Sequence, residues 1–244
     1  MNSLRHDFIQ SCLRSVSSAS PNSNDAQNPE ATRKYKYLDV GCGGGIFASS
    51  AARLPNTASV TAIDPTSEVI KVAREHQRGD PMLSQPGRLQ YLNCAIEELD
   101  SHIEGQGKES FDFVTVFEVV EHIDKPAAFL RQALAHLKPG GWLIGSTIAR
   151  HPVSYLTTKI VAEAPWPIGV VPPGTHDWNK YVNPSEVREW FAHENHELHT
   201  RNVETSDNEG RIEAGDKYGV VRVEGCIYLP LLGWKWAGGT AESR

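Results

Sequence analysis

The chain has few cysteines, no long apolar run and no excess of basic charge, and each shortage removes a class of protein. Cys12, Cys42, Cys94 and Cys226 are its only four cysteines in 244 residues. Their spacing matches neither a metal motif nor a small disulfide framework, so a reducing compartment is expected. No stretch reaches the roughly 20 apolar residues that a membrane-crossing helix requires. Met1 to Asn24 lacks the uninterrupted apolar core of a secretory signal. A net charge of −6 and a pI near 5.9 argue against a general nucleic-acid binder, which carries a basic face. Internal repeats and low-complexity tracts are missing as well.

What is present begins with Tyr37 to Gly45, which reads Tyr-Leu-Asp-Val-Gly-Cys-Gly-Gly-Gly. An apolar strand running into a glycine-dense turn lets a ligand lie against backbone amides, because no Cβ blocks its approach. Asp64 closes a second apolar run, Val60 to Ile63, and an acid at about that distance can accept hydrogen bonds from ribose hydroxyls. A nucleoside cofactor is implied. Gly43-x-Gly45-x-x-Ala48 also fits the letters of the dinucleotide fingerprint. Asp39 separates the readings: it would repel a pyrophosphate, whereas S-adenosylmethionine brings a cationic ammonium and sulfonium. The methyl donor is therefore the expected cofactor, with NAD and a ligand-free turn as the competing readings. Cys42 reads as a small packing residue.

Strand and helix alternate after the turn. Lys36–Val40, Val60–Ile63, Leu89–Asn93, Phe111–Phe117 and Trp142–Thr147 are the expected strands. Ile46–Leu54, Ser67–His76 and Ala127–Leu137 are the expected helices. Lys138-Pro139-Gly140-Gly141 reads as a helix stop followed by a turn, and Glu97 and Glu98 as an acidic loop. Such alternation predicts an α/β fold, a doubly wound, mostly parallel sheet with right-handed crossovers. Val220–Leu232 is expected to add late antiparallel strands, and Ser185–His193 a helix. Ahead of the core, Leu4, Phe8, Ile9 and Leu13 suit an amphipathic helix, and Ser15–Thr32 a flexible connection. The expected segments are residues 1–34 as helix and linker, 35–150 as the cofactor-binding core, 151–184 as a lid or membrane-contact insertion, and 185–244 as completion of the same domain.

A second constellation follows the strongest strand: Phe117-Glu118-Val119-Val120-Glu121-His122. If a helical turn begins there, Glu118, Glu121 and His122 share one face. Two carboxylates and an imidazole can hold a divalent cation and leave positions open for substrate. The competing reading is two acids stabilised at a helix start beside a surface histidine. Mg²⁺ favours oxygen ligands, and the imidazole brings Mn²⁺, Fe²⁺ and Zn²⁺ into consideration.

Together these stretches resemble the O-methyltransferases of ubiquinone biosynthesis, the polyprenyl-dihydroxybenzoate methyltransferases, with likeness to the mitochondrial, fungal branch. Asn2-Ser-Leu-Arg5 is similar to the family's Asn-Pro-Leu-Arg. Gly174-Thr-His-Asp-Trp178, followed by Val182-Asn-Pro184, is similar to its Gly-Thr-His-Asp segment. The resemblance covers nearly the whole chain. It implies a Rossmann-like class I S-adenosylmethionine-dependent methyltransferase, with cofactor contacts from Arg5, Gly41, Asp64 and Phe117 beside the Asp39 and Gly43 read above. It also implies a metal, Mg²⁺ foremost, on Glu118, Glu121 and His122. The expected substrates are polyprenylated catechols, with His176 or His151 as candidate base. The resemblance further points to a multi-enzyme complex on the matrix face of the mitochondrial inner membrane. Val153, Tyr155, Leu156, Ile160, Val161, Trp166, Ile168, Val170 and Val171 lie between Pro152 and Pro173 and would suit contact with a membrane interface. Ser3 replaces the family proline, and the segment that family members carry ahead of it is not in this sequence, which suggests a shortened form. A cofactor-binding scaffold without catalysis is the alternative from another functional class.

Overall fold

The computed structural model describes residues 2–19, 33–103, 110–155, 163, 177–204, 224, 226–229 and 233–236. The chain divides into two units, residues 1–147 and 148–244. In the first, the order is α1 (Asn2–Ala19), β1 (Tyr35–Val40), α2 (Ile46–Ala52), β2 (Thr57–Ile63), α3 (Ser67–Arg78) and β3 (Leu89–Leu92). It continues with α4 (Leu99–His102), β4 (Phe111–Phe117), α5 (Pro126–Ala135) and β5 (Leu137–Ser146). All four pairings are parallel and the strand order is β3-β2-β1-β4-β5. Succession reverses between β1 and β4, and ligands of such sheets bind at the carboxyl ends of the strands beside that reversal.

Alternation along the strands explains the layering, because successive side chains leave opposite faces of a sheet. Tyr37 and Phe113 face one side and pack with Ile9 of α1, Phe47, Ala48 and Ala51 of α2, and Ile70 and Ala73 of α3. Their neighbours Leu38 and Val114 face the other side and pack with Ile96, Leu99 of α4 and Phe129 and Ala133 of α5. Tyr37 and Phe113 stack at 4.8 Å between ring centroids. Each fully buried side chain of this size contributes about 1.5–3 kcal/mol, so both faces are firmly held. The Arg88 guanidinium donates to the carbonyls of Ala52, Leu54 and Thr57 and closes the end of α2.

Three local expectations are corrected. Lys138-Pro139-Gly140-Gly141 does not separate α5 from its strand but lies within β5, where the register jumps from Phe111–Leu137 to Phe113–Trp142. Gly140, at φ 75°, absorbs the irregularity as only glycine does without strain. The acidic loop is instead a short 3₁₀ turn, Ile96–Glu98, leading into α4. Helix α1 continues through Ser15–Ala19, where a flexible connection was expected; residues 20–32 lie outside the described residues.

The second unit contains α6 (Pro152–Tyr155), a 3₁₀ turn at Trp178–Lys180, α7 (Pro184–Glu204), β6 (Cys226–Leu229) and β7 (Gly233–Trp236). Asn183 opens α7: its N–H donates to Glu186 Oε2 at 2.7 Å, a side chain three residues on reaching back to the cap, with Pro184 at the first helical position. The late antiparallel strands exist, and among the described residues β6 pairs with β7 in a two-stranded sheet. Most of the 152–173 segment lies outside the described residues, as does His176. Among the described residues no helix is long and apolar enough to cross a membrane.

Candidate functional site

The chain leaves β1 at Val40 and doubles back over the end of β2, the Gly41 and Cys42 amides donating to the Ile63 carbonyl at 2.9 and 3.0 Å. Gly41 and Gly43 adopt φ of 69° and 52°, which side chains with a Cβ rarely tolerate. Space matters as much as angle. A Cβ on Gly41 would come within 2.4 Å of Val119 Cγ2, whereas one on Gly43 would meet nothing within 4 Å. Gly41 is thus required by the protein's own packing, and Gly43 leaves its backbone open to an approaching ligand.

Asp39 sits one residue before the strand end and is 2% exposed. The Thr115 hydroxyl of β4 donates to its Oδ1 at 2.7 Å; Oδ2 is buried without a hydrogen-bond partner. Burial pushes its carboxyl up to about 7, opposed by the Thr115 bond, the Arg5 charge and the Ala48 amide, and reinforced by Asp64. A buried carboxylate with one bare oxygen stabilises a cation placed beside it. Asp64 is held differently. Its two oxygens accept from the Gly43 N–H at 3.0 Å and the Thr66 N–H at 2.9 Å, which ties it to the glycine turn.

A cavity of about 210 Å³ lies over this turn, lined by Arg5, Asp39, Gly41, Gly43 and Phe117 together with Phe47 and Ile46. The structure thus gathers five of the six residues expected to meet a cofactor. Asp64 is not in the lining but is joined to it through Gly43. Arg5 comes from α1: its guanidinium lies 4.4 Å from the Phe117 ring centroid and 3.9 Å from Glu118 Oε1. On the same helix His6 stacks on Phe47 at 5.1 Å and meets Ser50 Oγ at 2.7 Å, which seats α1 against α2.

The cluster after β4 differs from its expected form. No helix begins at Glu118: that residue has φ 56°, alone among the described non-glycine residues in being positive. A 3₁₀ turn starts only at Val120, so the one-face arrangement does not form. Glu118 accepts from Ser146 Oγ at 2.5 Å and Glu121 from Thr147 Oγ1 at 3.1 Å. Glu121 is buried, and its carboxyl is pushed up to about 7 by desolvation, then by the Glu118 charge and a hydrogen bond between the two side chains. His122 is exposed. Two carboxylates meet and the imidazole stays apart; among the described residues no three His, Cys, Asp or Glu side chains form a metal-holding group. The three residues as placed do not fit a shared metal, although the carboxylate pair is one that a cation would relieve.

Asp177 caps the Trp178–Lys180 turn by accepting from the Asn179 N–H at 3.0 Å. Sequence reasoning passed over Thr115, Val119, Ser146 and Thr147. Thr115 had a signal: it is a hydroxyl inside an otherwise apolar buried strand, where a hidden hydrogen bond is expected.

A family model described as a methyltransferase domain matches residues 4–201. The chain is 35% identical to the mitochondrial ubiquinone biosynthesis O-methyltransferase of Candida albicans, over 97% of this chain and 72% of that protein. It is 34% identical to the rat mitochondrial protein of the same name, over 99% of this chain and 59% of the relative. With the bacterial protein of Albidiferax ferrireducens it shares 39% identity over 69% of this chain and 63% of the other. The chain therefore spans less than two thirds of the length of several relatives. Among solved structures, the plantazolicin methyltransferase BamL, in complex with a triazolic desmethylPZN analog and SAH, superposes with a TM-score of 0.50 at 15% identity. That likeness covers 68% of this chain and 55% of that one, and concerns the fold.

Proposed function

Because the chain belongs to the O-methyltransferases of ubiquinone biosynthesis, with the Rossmann-like class I methyltransferase fold, we propose that it methylates a phenolic oxygen of a polyprenylated catechol. The acceptors proposed are 3,4-dihydroxy-5-polyprenylbenzoate and demethylubiquinol. The observation that carries the reading is Asp39: a buried carboxylate with a bare oxygen at a cavity built on an open glycine turn.

S-adenosylmethionine, when bound, supplies an electrophilic methyl group on a sulfonium. Asp39 would accept from the amino group of the donor. Gly43 would let the donor approach its backbone, and Asp64, oriented by the Gly43 and Thr66 amides, would offer its remaining lone pairs to the ribose hydroxyls. Phe47 and Phe117 give the cavity an aromatic wall whose faces attract a cation. Holding the acceptor oxygen in line with the methyl is worth up to roughly 7–11 kcal/mol in favourable cases. His176 is proposed to take the acceptor proton. No step is assigned to a metal, since Glu118, Glu121 and His122 do not come together as ligands. A divalent ion, Mg²⁺ foremost, is kept as a proposal for the Glu118–Glu121 pair.

The setting proposed is the matrix face of the mitochondrial inner membrane, in a multi-enzyme complex, with residues 151–184 contacting lipid around the polyprenyl tail. Equal liposome flotation with and without that segment would end the lipid-contact reading. For the activity itself, the assay is methyl transfer from labelled S-adenosylmethionine to a soluble short-tailed catechol, alongside calorimetric binding of S-adenosylhomocysteine. Turnover by the wild type and none by Asp39→Asn is expected. Binding without turnover of any catechol would identify a scaffold instead, and failure to bind the homocysteine product would remove the cofactor reading.

A further inference from the structure

We propose that Thr115 is a positioning residue that turns Asp39 toward its ligand and thereby selects cofactors bearing a cationic amino group. The inference rests on the reading of Asp39 as the partner of the donor's ammonium, and it adds the residue that makes this partnership specific.

The argument starts in β4, Phe-Asp-Phe-Val-Thr-Val-Phe, whose only polar members are Asp112 and Thr115. Asp112 is accounted for by the fold: it accepts from the Lys36 N–H at 2.8 Å and from Lys138 Nζ at 3.0 Å. Thr115 is fully buried, in a site where valine would match its shape and strand preference. Packing therefore does not call for its hydroxyl. Parallel pairing sets Thr115 directly beside Asp39.

The hydroxyl carries one proton and has two acceptors in range, Asp39 Oδ1 at 2.7 Å and the Leu38 carbonyl at 3.4 Å. The shorter, charge-assisted bond takes it. One carboxylate oxygen is thereby pinned to the sheet; Oδ2 has no hydrogen-bond partner, although the Ala48 amide of α2 also favours the charged carboxylate, and Asp39 lines the cavity. A carboxylate placed only for structure would have both oxygens satisfied within the fold. The same bond favours the ionised form of Asp39 against its burial, and the ionised form is what attracts an ammonium.

The test compares two ligands sharing a nucleoside and a thioether. S-adenosylhomocysteine carries the amino-acid portion, and 5′-methylthioadenosine lacks it. Both are titrated calorimetrically into the full chain, its Thr115→Val variant and its Thr115→Ser variant. Loss of a hydrogen bond to a charged group predicts about tenfold weaker binding of S-adenosylhomocysteine to Thr115→Val. Binding of 5′-methylthioadenosine should be unchanged, which also reports that the variant is folded, and serine should restore the wild-type preference. Equal weakening of both ligands would show a purely structural role and overturn the proposal. So would an undiminished homocysteine affinity in Thr115→Val, or a serine variant as impaired as valine. Failure of the wild type to bind S-adenosylhomocysteine would overturn the cofactor reading and this inference with it. A wild type that binds beside an unaffected valine variant would overturn this inference alone.

Discussion

Replacing Gly41 by alanine tests whether the glycine turn and the loop after β4 are one packed unit. Two costs arise from separate causes. A left-handed φ of 69° strains any residue with a Cβ by about 1–2 kcal/mol. The new methyl would also lie 2.4 Å from Val119 Cγ2 and 3.3 Å from Cγ1, an overlap that costs roughly 1–3 kcal/mol to relieve. Gly41→Ala is thus expected to lose about 2–5 kcal/mol in all. Gly43→Ala, at φ 52° with nothing within 4 Å, should lose only the strain, about 1–2 kcal/mol. Its methyl would face the cavity, so cofactor affinity should fall further than stability does. Val119→Ala removes both offending carbons and leaves Val119 Cβ at 3.5 Å, an ordinary contact. The double variant should then recover the overlap cost, a coupling of about 1–3 kcal/mol. Urea titration with hydrogen exchange read at the β1 and β4 amides reports the 1–147 unit specifically. Strictly additive losses would refute the packing argument, and a Gly43→Ala variant as unstable as Gly41→Ala would refute the separation into strain and overlap.

Asp39→Asn should change the response to pH with a definite sign. Burial raises the folded carboxyl from its ordinary 3.8 to about 7, so its contribution to stability is full below the lower value and is lost as pH rises through the higher one. Between about pH 4 and pH 7 the asparagine variant should gain on the wild type by up to about 4 kcal/mol, while losing affinity for S-adenosylhomocysteine; parallel melting curves would contradict this. Glu121 follows the same rule, its carboxyl rising from 4.5 to about 7, so neutral and alkaline pH leaves the pair with Glu118 uncomfortable. Mg²⁺ should then raise the melting temperature of the wild type above about pH 7 and not that of Glu118→Gln/Glu121→Gln, with chelator reversing the gain; equal responses would exclude the pair as a cation site. His6 has the opposite sign. Burial, aided by Arg5 and opposed by Asp7, lowers its pKa from 6.5, so its contribution is present above that value and lost as pH falls. Limited proteolysis of α1 should quicken on acidification in the wild type and become insensitive to pH in His6→Phe, which keeps the stacking on Phe47; an unchanged response would clear His6.

The parts of the site that could be read beforehand are those whose meaning is local. Asp39 precedes the glycines by a fixed number of residues, and Asp64 closes the next strand, so adjacency in sequence already brings them to neighbouring strand ends. Thr115 and Asp39 are 76 residues apart, and the parallel register that joins them depends on β4 inserting beside β1. Hydrophobic periodicity identifies each of those strands but says nothing about which becomes the neighbour of which. Ser146 and Thr147 reach Glu118 and Glu121 for the same reason, through the pairing of β4 with β5. The shared helical face failed for a different one. Helical spacing assumes helical dihedrals from its first member, and Glu118 must instead turn the chain away from β4 at φ 56° while its N–H still donates to the Ser146 carbonyl at 2.9 Å. The left-handed φ, not the hydrogen bond, keeps Glu118 out of a helix. A carboxylate motif set immediately after a buried parallel strand is therefore better read as two points on a turn, each needing its own partner from the next strand, than as a stripe at i, i+3 and i+4.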